Sequence, residues 1–127
     1  MSAITKTTSG LNLDRDGDSG AANPKITYVA LGTSSTAPSA SDTKLGSEVF
    51  RKKVTTYANG SSGEILITMY LAPGDTIGIN IQEVGFFGGS TATSAKDSGV
   101  LIAHGLYAHN PKTGLESITF QLDKTYS

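Results

Sequence analysis

The stretch KITYVALGTSSTAPSASDTKLGSEVFRKKV, residues 25–54, decides the fold class. It begins with an almost continuous apolar run at 25–31, which is typical of a β-strand covered on both faces. A loop rich in glycine, serine, threonine and proline follows, and the chain then returns in a second extended segment at 49–57. The stretch therefore predicts two strands joined by a long polar loop.

The same alternation of short apolar segments and polar turns continues along the chain. In residues 64–71, Ile65, Ile67 and Met69 recur with the period of two that a strand requires. Three more extended segments follow, at 77–88, 100–108 and 115–123, and a turn is expected at 110–114. A β-bulge, which exchanges the two faces of a strand, is expected at 82–84. We therefore predict an all-β fold, an antiparallel β-sandwich of about six to eight strands.

The first 24 residues differ from the rest of the chain. Ile4, Leu11 and Leu13 are the only large aliphatic residues before Ile26, and the segment after Leu13 is rich in turn-forming residues. We predict an N-terminal arm at 1–24, with one short helical or extended piece near 11–16, and a single β-sandwich domain at 25–127. An arm of this kind is expected to become ordered against a neighbouring subunit.

Composition and charge exclude several classes of partner. The chain has 127 residues, a net charge of −1 and no cysteine, so neither a nucleic-acid-binding surface nor a disulfide framework is expected. No apolar run approaches the roughly 20 residues of a membrane span, and no export signal of the usual type is expected. The densest basic cluster, Arg51-Lys52-Lys53, is interpreted as a charged edge strand, with contact to an anionic group as the alternative.

Asp14, Asp16 and Asp18 alternate as the first ligands of an EF-hand calcium loop do. The pattern then fails, because Ser19 stands at the glycine position and Lys25 at the position of the bidentate glutamate. A solvated turn is the favoured interpretation, with a calcium or magnesium site of another type as the alternative. No cofactor is expected.

The histidines do not suggest a catalytic or zinc site. His104 and His109 fall on opposite faces of a strand because their spacing is odd. His104 is expected to be buried or at an interface, with its ring satisfied by backbone groups. Glu83 is interpreted as a buried carboxylate or, preferentially, as half of an interfacial ion pair with Lys or Arg. Since no nucleophile elbow, P-loop or dinucleotide motif is present, we predict no catalytic residues and no enzymatic activity.

Four segments carry a family resemblance: residues 10–54, EVGFFGG at 83–89, SGVLIAHGLY at 98–107 and LESITF at 115–120. Together, over about residues 10–122, they resemble a family of small bacteriophage virion proteins described as tail fibre or tail structural proteins. The resemblance implies a non-enzymatic part of the virion, assembled in the host cytoplasm, that self-associates and docks on other virion proteins. It also implies a short N-terminal helix, which the polar residues 17–20 would weaken or replace by a loop.

We therefore predict a virion structural protein of the tail fibre or baseplate type, with a trimer as the favoured oligomer. A capsid decoration protein fits the chain length as well. A carbohydrate-binding module for glycans of the host surface is the alternative from another class, with exposed tyrosines as its sugar platform; the candidates are Tyr57, Tyr70, Tyr107 and Tyr126.

Phe86 and Phe87 are the first candidates for the assembly surface. Adjacent strand residues face opposite ways, so one ring is expected to fill the core and the other to meet a second sheet, the arm or a neighbouring subunit. The remaining predicted interface residues are Ile4, Leu11 and Leu13 of the arm, together with Arg51 and Lys52.

Overall fold

The computed structural model describes residues 4–20, 24–60, 63–107 and 113–125. These residues form β1 (Ile4–Lys6), α1 (Thr8–Asp18), β2 (Ile26–Gly32), β3 (Glu48–Lys53), β4 (Thr56–Asn59), β5 (Glu64–Leu71), β6 (Glu83–Gly88), β7 (Val100–Leu106) and β8 (Ile118–Thr125). One antiparallel sheet has the order β1-β7-β6-β2-β3, and the other has the order β4-β5-β8. The predicted all-β, sandwich-like fold is confirmed.

The main hydrophobic core lies between the two sheets. Leu31 and Phe86 enter it from the five-stranded sheet, while Met69, Leu71 and Phe120 enter it from the three-stranded sheet. Each of these side chains is buried. Burial of one such side chain stabilises the fold by about 1.5–3 kcal/mol. The period-two pattern of β5 puts its apolar side chains on one face, and their burial holds β5 against the other sheet.

Two predicted strands differ from the observed ones. The segment at 49–57 is divided between β3 and β4, which belong to different sheets, because the chain crosses from one sheet to the other at Val54 and Thr55. The segment at 77–81 is a turn instead of a strand, since Thr76 and Gly78 have φ angles of 51° and 79°. Two of its apolar residues, Ile79 and Ile81, still contact the core, which explains the misleading alternation.

No register shift lies at 83–84, where the β-bulge was predicted; the described sheets have register shifts on β2 at Thr27, on β3 at Val49 and on β7. Phe86 pairs with Ala103 while Phe87 pairs with Leu101, so Ile102 is the extra residue. The bulge exchanges the faces of β7, which places His104 on the same face of the sheet as Leu101. This face points away from the three-stranded sheet and is called the outer face below.

The predicted separate arm at 1–24 is wrong for the described part of that segment. β1 is an edge strand that pairs with β7, and α1 packs on β7 so closely that a Cβ at Gly10 would lie 2.7 Å from Ile102 Cα. Leu13 is buried in the main core. Residues 4–18 are therefore part of the sandwich, and the helix is longer than the predicted piece at 11–16.

Thr7 joins this N-terminal segment to the bulge. Its hydroxyl accepts a hydrogen bond from Gly10 N at 3.0 Å, as the N-cap of α1, and donates to the carbonyl of Leu101. The Thr7 backbone N–H donates to Ile102 O at 3.1 Å. Thr7 thus extends the pairing of β1 with β7 by one residue, and its hydroxyl links the N-terminus of α1 to the Leu101 carbonyl beside the bulge.

Replacing Thr7 with alanine is expected to lower the free energy of unfolding by about 1–2 kcal/mol, because both the N-cap and a buried donor are lost. Urea denaturation measures the change. Thr8→Ala, at the exposed neighbouring position, is the matched control and should change stability by less than about 0.5 kcal/mol. Equal effects of the two substitutions would contradict the assigned role of the Thr7 hydroxyl.

Candidate functional site

The loop that joins β2 to β3, residues 33–47, lies over the outer face and is called the strap. Leu45 of the strap is buried, and it packs with Ala30, Phe87 and Leu101 in a second, smaller hydrophobic cluster. A loop of this length without secondary structure is uncommon in a compact domain and is usually either functional or disordered. The strap is fixed by a cluster of buried ionisable groups, which is the candidate site.

Glu83 of β6 is the centre of this cluster, and its side chain is fully buried. Its carboxylate accepts hydrogen bonds from three strap N–H groups: Ser34 N at 3.1 Å, Gly46 N at 2.9 Å and Ser47 N at 2.8 Å. Glu83 therefore binds both ends of the strap. Gly32, its cross-strand neighbour, leaves the necessary space, since a Cβ there would lie 2.3 Å from Glu83 Oε2.

His104 of β7 lies between two carboxylates. Its Nε2 is 3.2 Å from Glu83 Oε1, and its Nδ1 is 3.0 Å from Asp42 Oδ2 of the strap. Asp42 Oδ2 also accepts the backbone N–H of Ser39 at 2.8 Å. Each ring nitrogen of His104 thus lies within hydrogen-bond distance of a carboxylate oxygen.

The partners predicted for His104 and for Glu83 are therefore not the ones observed. His104 is buried, as predicted, but carboxylates and not backbone groups satisfy its ring. Glu83 is a buried carboxylate, the less favoured of its two interpretations, and its partners are backbone N–H groups and a histidine of the same chain. A general base needs a ring nitrogen that can accept a proton from a nucleophile, and here each nitrogen faces a carboxylate.

An open pocket of about 320 Å³ lies beside this cluster. Its wall combines Asp42, Glu83 and His104 with hydroxyl groups and one lysine of the strap; these are Ser34, Thr36, Ser41, Thr43 and Lys44. The lining is rich in hydrogen-bonding groups, so the pocket suits a small polar ligand better than an apolar one.

A second buried ion pair fixes the neighbouring loop. Arg51 Nε is 2.8 Å from Glu48 Oε2, and the two side chains are only 3% and 2% exposed. The Arg51 guanidinium also donates to Thr93 O at 3.0 Å and Ser98 O at 2.9 Å, and it lies 4.5 Å from the centroid of the Phe87 ring. Arg51 thus connects the edge strand β3 to the loop at 89–99.

The predicted interface residues are mostly internal. Phe86 and Phe87 are both 0% exposed. Phe86 fills the main core, as expected of one ring, whereas Phe87 meets none of the three expected partners, because the strap and Arg51 of the same chain cover it. Arg51 is likewise internal. Lys52 is part-exposed and donates to Tyr70 O at 3.0 Å, and it pairs with Asp75 at 3.1 Å.

The three arm residues have different environments. Leu13 is buried, Ile4 is half-buried against the main core, and Leu11 on α1 is 53% exposed. Of the three, only Leu11 presents a largely exposed side chain, because the arm packs on its own sheet. β3, which carries the basic cluster, is an edge strand of the five-stranded sheet, as that cluster predicts.

Asp14, Asp16 and Asp18 lie on helix α1 and not in a turn. Asp14 and Asp18, four residues apart, share one face of the helix, but Asp16 points to the other side, so the three carboxylates do not converge. Asp14 pairs with Lys124 at 2.8 Å and Asp16 with Arg15 at 3.0 Å. Among the residues that the structure describes, no group of three His, Asp or Glu side chains is placed to hold a metal ion.

His109, Tyr126 and most of the turn predicted at 110–114 lie outside the described residues. Within the described ranges, no helix is both long and apolar enough to cross a membrane. Sequence reasoning missed Asp42, Glu48 and the strap N–H groups. The one available signal was the occurrence of Glu83 and His104 in otherwise apolar strands.

The described residues thus form an all-β, sandwich-like fold in which internal ionisable groups fix two loops on the outer face of one sheet. No protein-family model matches the chain, and the search of curated proteins gives no match.

Proposed function

We propose that the protein is a non-enzymatic structural component of a bacteriophage virion, of the tail fibre or baseplate type, that self-associates and docks on other virion proteins. The observation that carries the proposal is that the buried ionisable groups fix loops of the protein in place. Glu83, His104 and Asp42 fix the strap, and Glu48 and Arg51 fix the loop at 89–99. Groups bound in this way build a rigid surface for contact with other proteins.

The exposed apolar residues support an assembly role. Leu115, Ile77, Leu11 and Val49 are large side chains with about half or more of their surface exposed. Single exposed residues of this kind are common on monomers, but burying them gives an oligomer its stability. The resemblance of residues 10–122 to small virion proteins agrees with this interpretation, and it favours a trimer. A position on the capsid, as a decoration protein, is compatible with the same features.

Labelling of intact particles tests the proposal. Gold-conjugated antibodies raised against the purified protein should label virions of the phage that encodes it, and the labelled position distinguishes tail from capsid in the electron microscope. Antibodies depleted on the purified protein are the control. Particles that remain unlabelled, together with absence of the protein from purified virions by mass spectrometry, would refute a virion role.

A glycan-binding module is the second candidate, and the strap pocket is the observation that favours it. Sugars are bound through hydroxyl and carboxylate groups, which this pocket supplies. The tyrosines proposed from the sequence are elsewhere: Tyr57 and Tyr70 are exposed outside the pocket, and Tyr107 packs edge-on against Phe120. Glycan-array binding that Lys44→Ala abolishes and Tyr70→Ala leaves intact would support this pocket; no binding to any glycan would exclude it.

A further inference from the structure

An apolar groove opens between the two sheets beside the short edge strand β4. It has a volume of about 450 Å³, and Ile26, Tyr57, Ile65 and Ile67 form its apolar lining. The Tyr57 hydroxyl donates to the carbonyl of Ile26, which holds the ring across the gap, and burial raises the pKa of the phenol above its ordinary value. Four exposed residues without charge form β4, so this edge lacks the charged side chains that usually prevent contact between sheets.

Two lysines border the groove. Lys25 precedes β2, and its ammonium group lies 4.9 Å from the centroid of the Tyr57 ring. Lys124, near the end of β8, lines the groove on another side, where its almost fully buried side chain pairs with Asp14. The groove therefore combines an apolar interior with one lysine, Lys25, whose ammonium group lies at its border, since Asp14 balances the charge of Lys124. It suits an aliphatic side chain that has a carboxylate next to it.

The same chain presents such a group on its surface. The turn at 113–117 exposes 95% of Leu115, and Glu116 follows directly. Ile77, which is 57% exposed, lies next to this turn, since a Cβ at Gly114 would be 3.4 Å from Ile77 Cδ1. Leu115, Ile77 and Glu116 together are called the knob below.

The knob and the groove lie at opposite ends of the three-stranded sheet. Ile118, just after the knob, pairs with Leu71, whereas Lys124 at the groove pairs with Ile65. The residues from Ile118 to Lys124 span about 20 Å of extended strand. The knob therefore cannot enter the groove of its own chain.

We propose that the knob of one copy of this protein inserts into the groove of the next copy, with Glu116 facing Lys25. The inference deepens the proposed self-association and rests on it for its biological setting. The contact is head-to-tail, since the two surfaces are different parts of the chain. Repetition of such a contact closes a ring when its rotation allows closure, and otherwise extends a filament.

Cysteine cross-linking tests the contact directly, because the chain has no cysteine of its own. Leu115→Cys protein and Lys25→Cys protein are mixed under mild oxidation. Disulfide-linked heterodimers are expected in the mixture, in clear excess over the homodimers of either variant alone. Leu11→Cys mixed with Lys25→Cys is the control, since Leu11 is exposed on α1 outside both surfaces. Cross-linking no better than this control would overturn the proposal.

Sedimentation analysis supplies the second measurement. Leu115→Ser should weaken self-association by about 10-fold to 100-fold, as expected for loss of one buried leucine, and Leu11→Ser should leave it unchanged. Lys25→Glu should weaken it as well, and mixing this variant with Glu116→Lys should restore assembly through the exchanged charges. A wild-type protein that stays monomeric at high concentration would refute the contact.

The outcomes separate this inference from the proposed function. Virion labelling combined with failed cross-linking would keep the structural role and discard the knob and groove. Successful cross-linking without virion labelling would keep the contact and discard the virion role.

Discussion

Replacing Glu83 with glutamine is expected to lower the free energy of unfolding by about 3–5 kcal/mol, since it breaks a buried charged network at its centre. The carboxylate accepts three strap N–H groups and also faces His104. A glutamine has one acceptor oxygen, and its amide hydrogens would point at backbone groups that are themselves donors. Buried donors would then lack acceptors, at a cost of about 1–3 kcal/mol each.

Urea denaturation of the purified variant measures this effect, and Asp16→Asn is the control. Asp16 is a carboxylate on α1 whose side chain is 41% exposed and which pairs with the exposed Arg15 at 3.0 Å, so its replacement should cost about 1 kcal/mol or less. Amide exchange adds a local measurement: protection at Gly46 and Ser47 should fall more than protection in β5. A loss below about 1 kcal/mol for Glu83→Gln would show that the strap does not depend on this carboxylate.

The sandwich could be predicted from the sequence because its signals are local. The alternation in β5 and the apolar run of β2 report burial within a few residues of chain. The division at Val54 and the turn at Thr76 could not be predicted in this way. Each depends on which of the two sheets the next residues join, and this is determined by packing between segments that are distant in the sequence.

Only part of the candidate site could be predicted from the sequence, for a related reason. Glu83 and His104 are conspicuous as polar residues in apolar strands. They lie on the same face of the sheet only because of the bulge at Ile102, which exchanges the faces of the side chains from His104 onwards. Asp42 comes from a loop where polar residues are expected and therefore carries no signal of its own. The full burial of Phe87 could not be predicted for the same reason, since the strap that covers it is a polar segment with one buried leucine, Leu45.

The buried pair of Arg51 and Glu48 gives the second large expected effect. Arg51→Met is expected to lower the free energy of unfolding by about 3–5 kcal/mol, because Glu48 is left charged and buried without its partner. Methionine keeps an aliphatic chain beside the Phe87 ring, so the loss is mainly electrostatic. The carbonyls of Thr93 and Ser98 lose their donor at the same time, and the loop at 89–99 should lose amide protection.

A double-mutant cycle separates these contributions. Glu48→Gln combined with Arg51→Met removes both charges, so the double variant should be more stable than Arg51→Met alone by at least about 1 kcal/mol. The recovery is incomplete, because the Arg51 bonds to the loop stay lost, and Glu48 also accepts the backbone N–H of Asp97 at 3.2 Å. Additive effects of the two substitutions would mean that the charges do not interact in the folded protein. The loop at 89–99 would then depend on the hydrogen bonds of Arg51 and not on its charge.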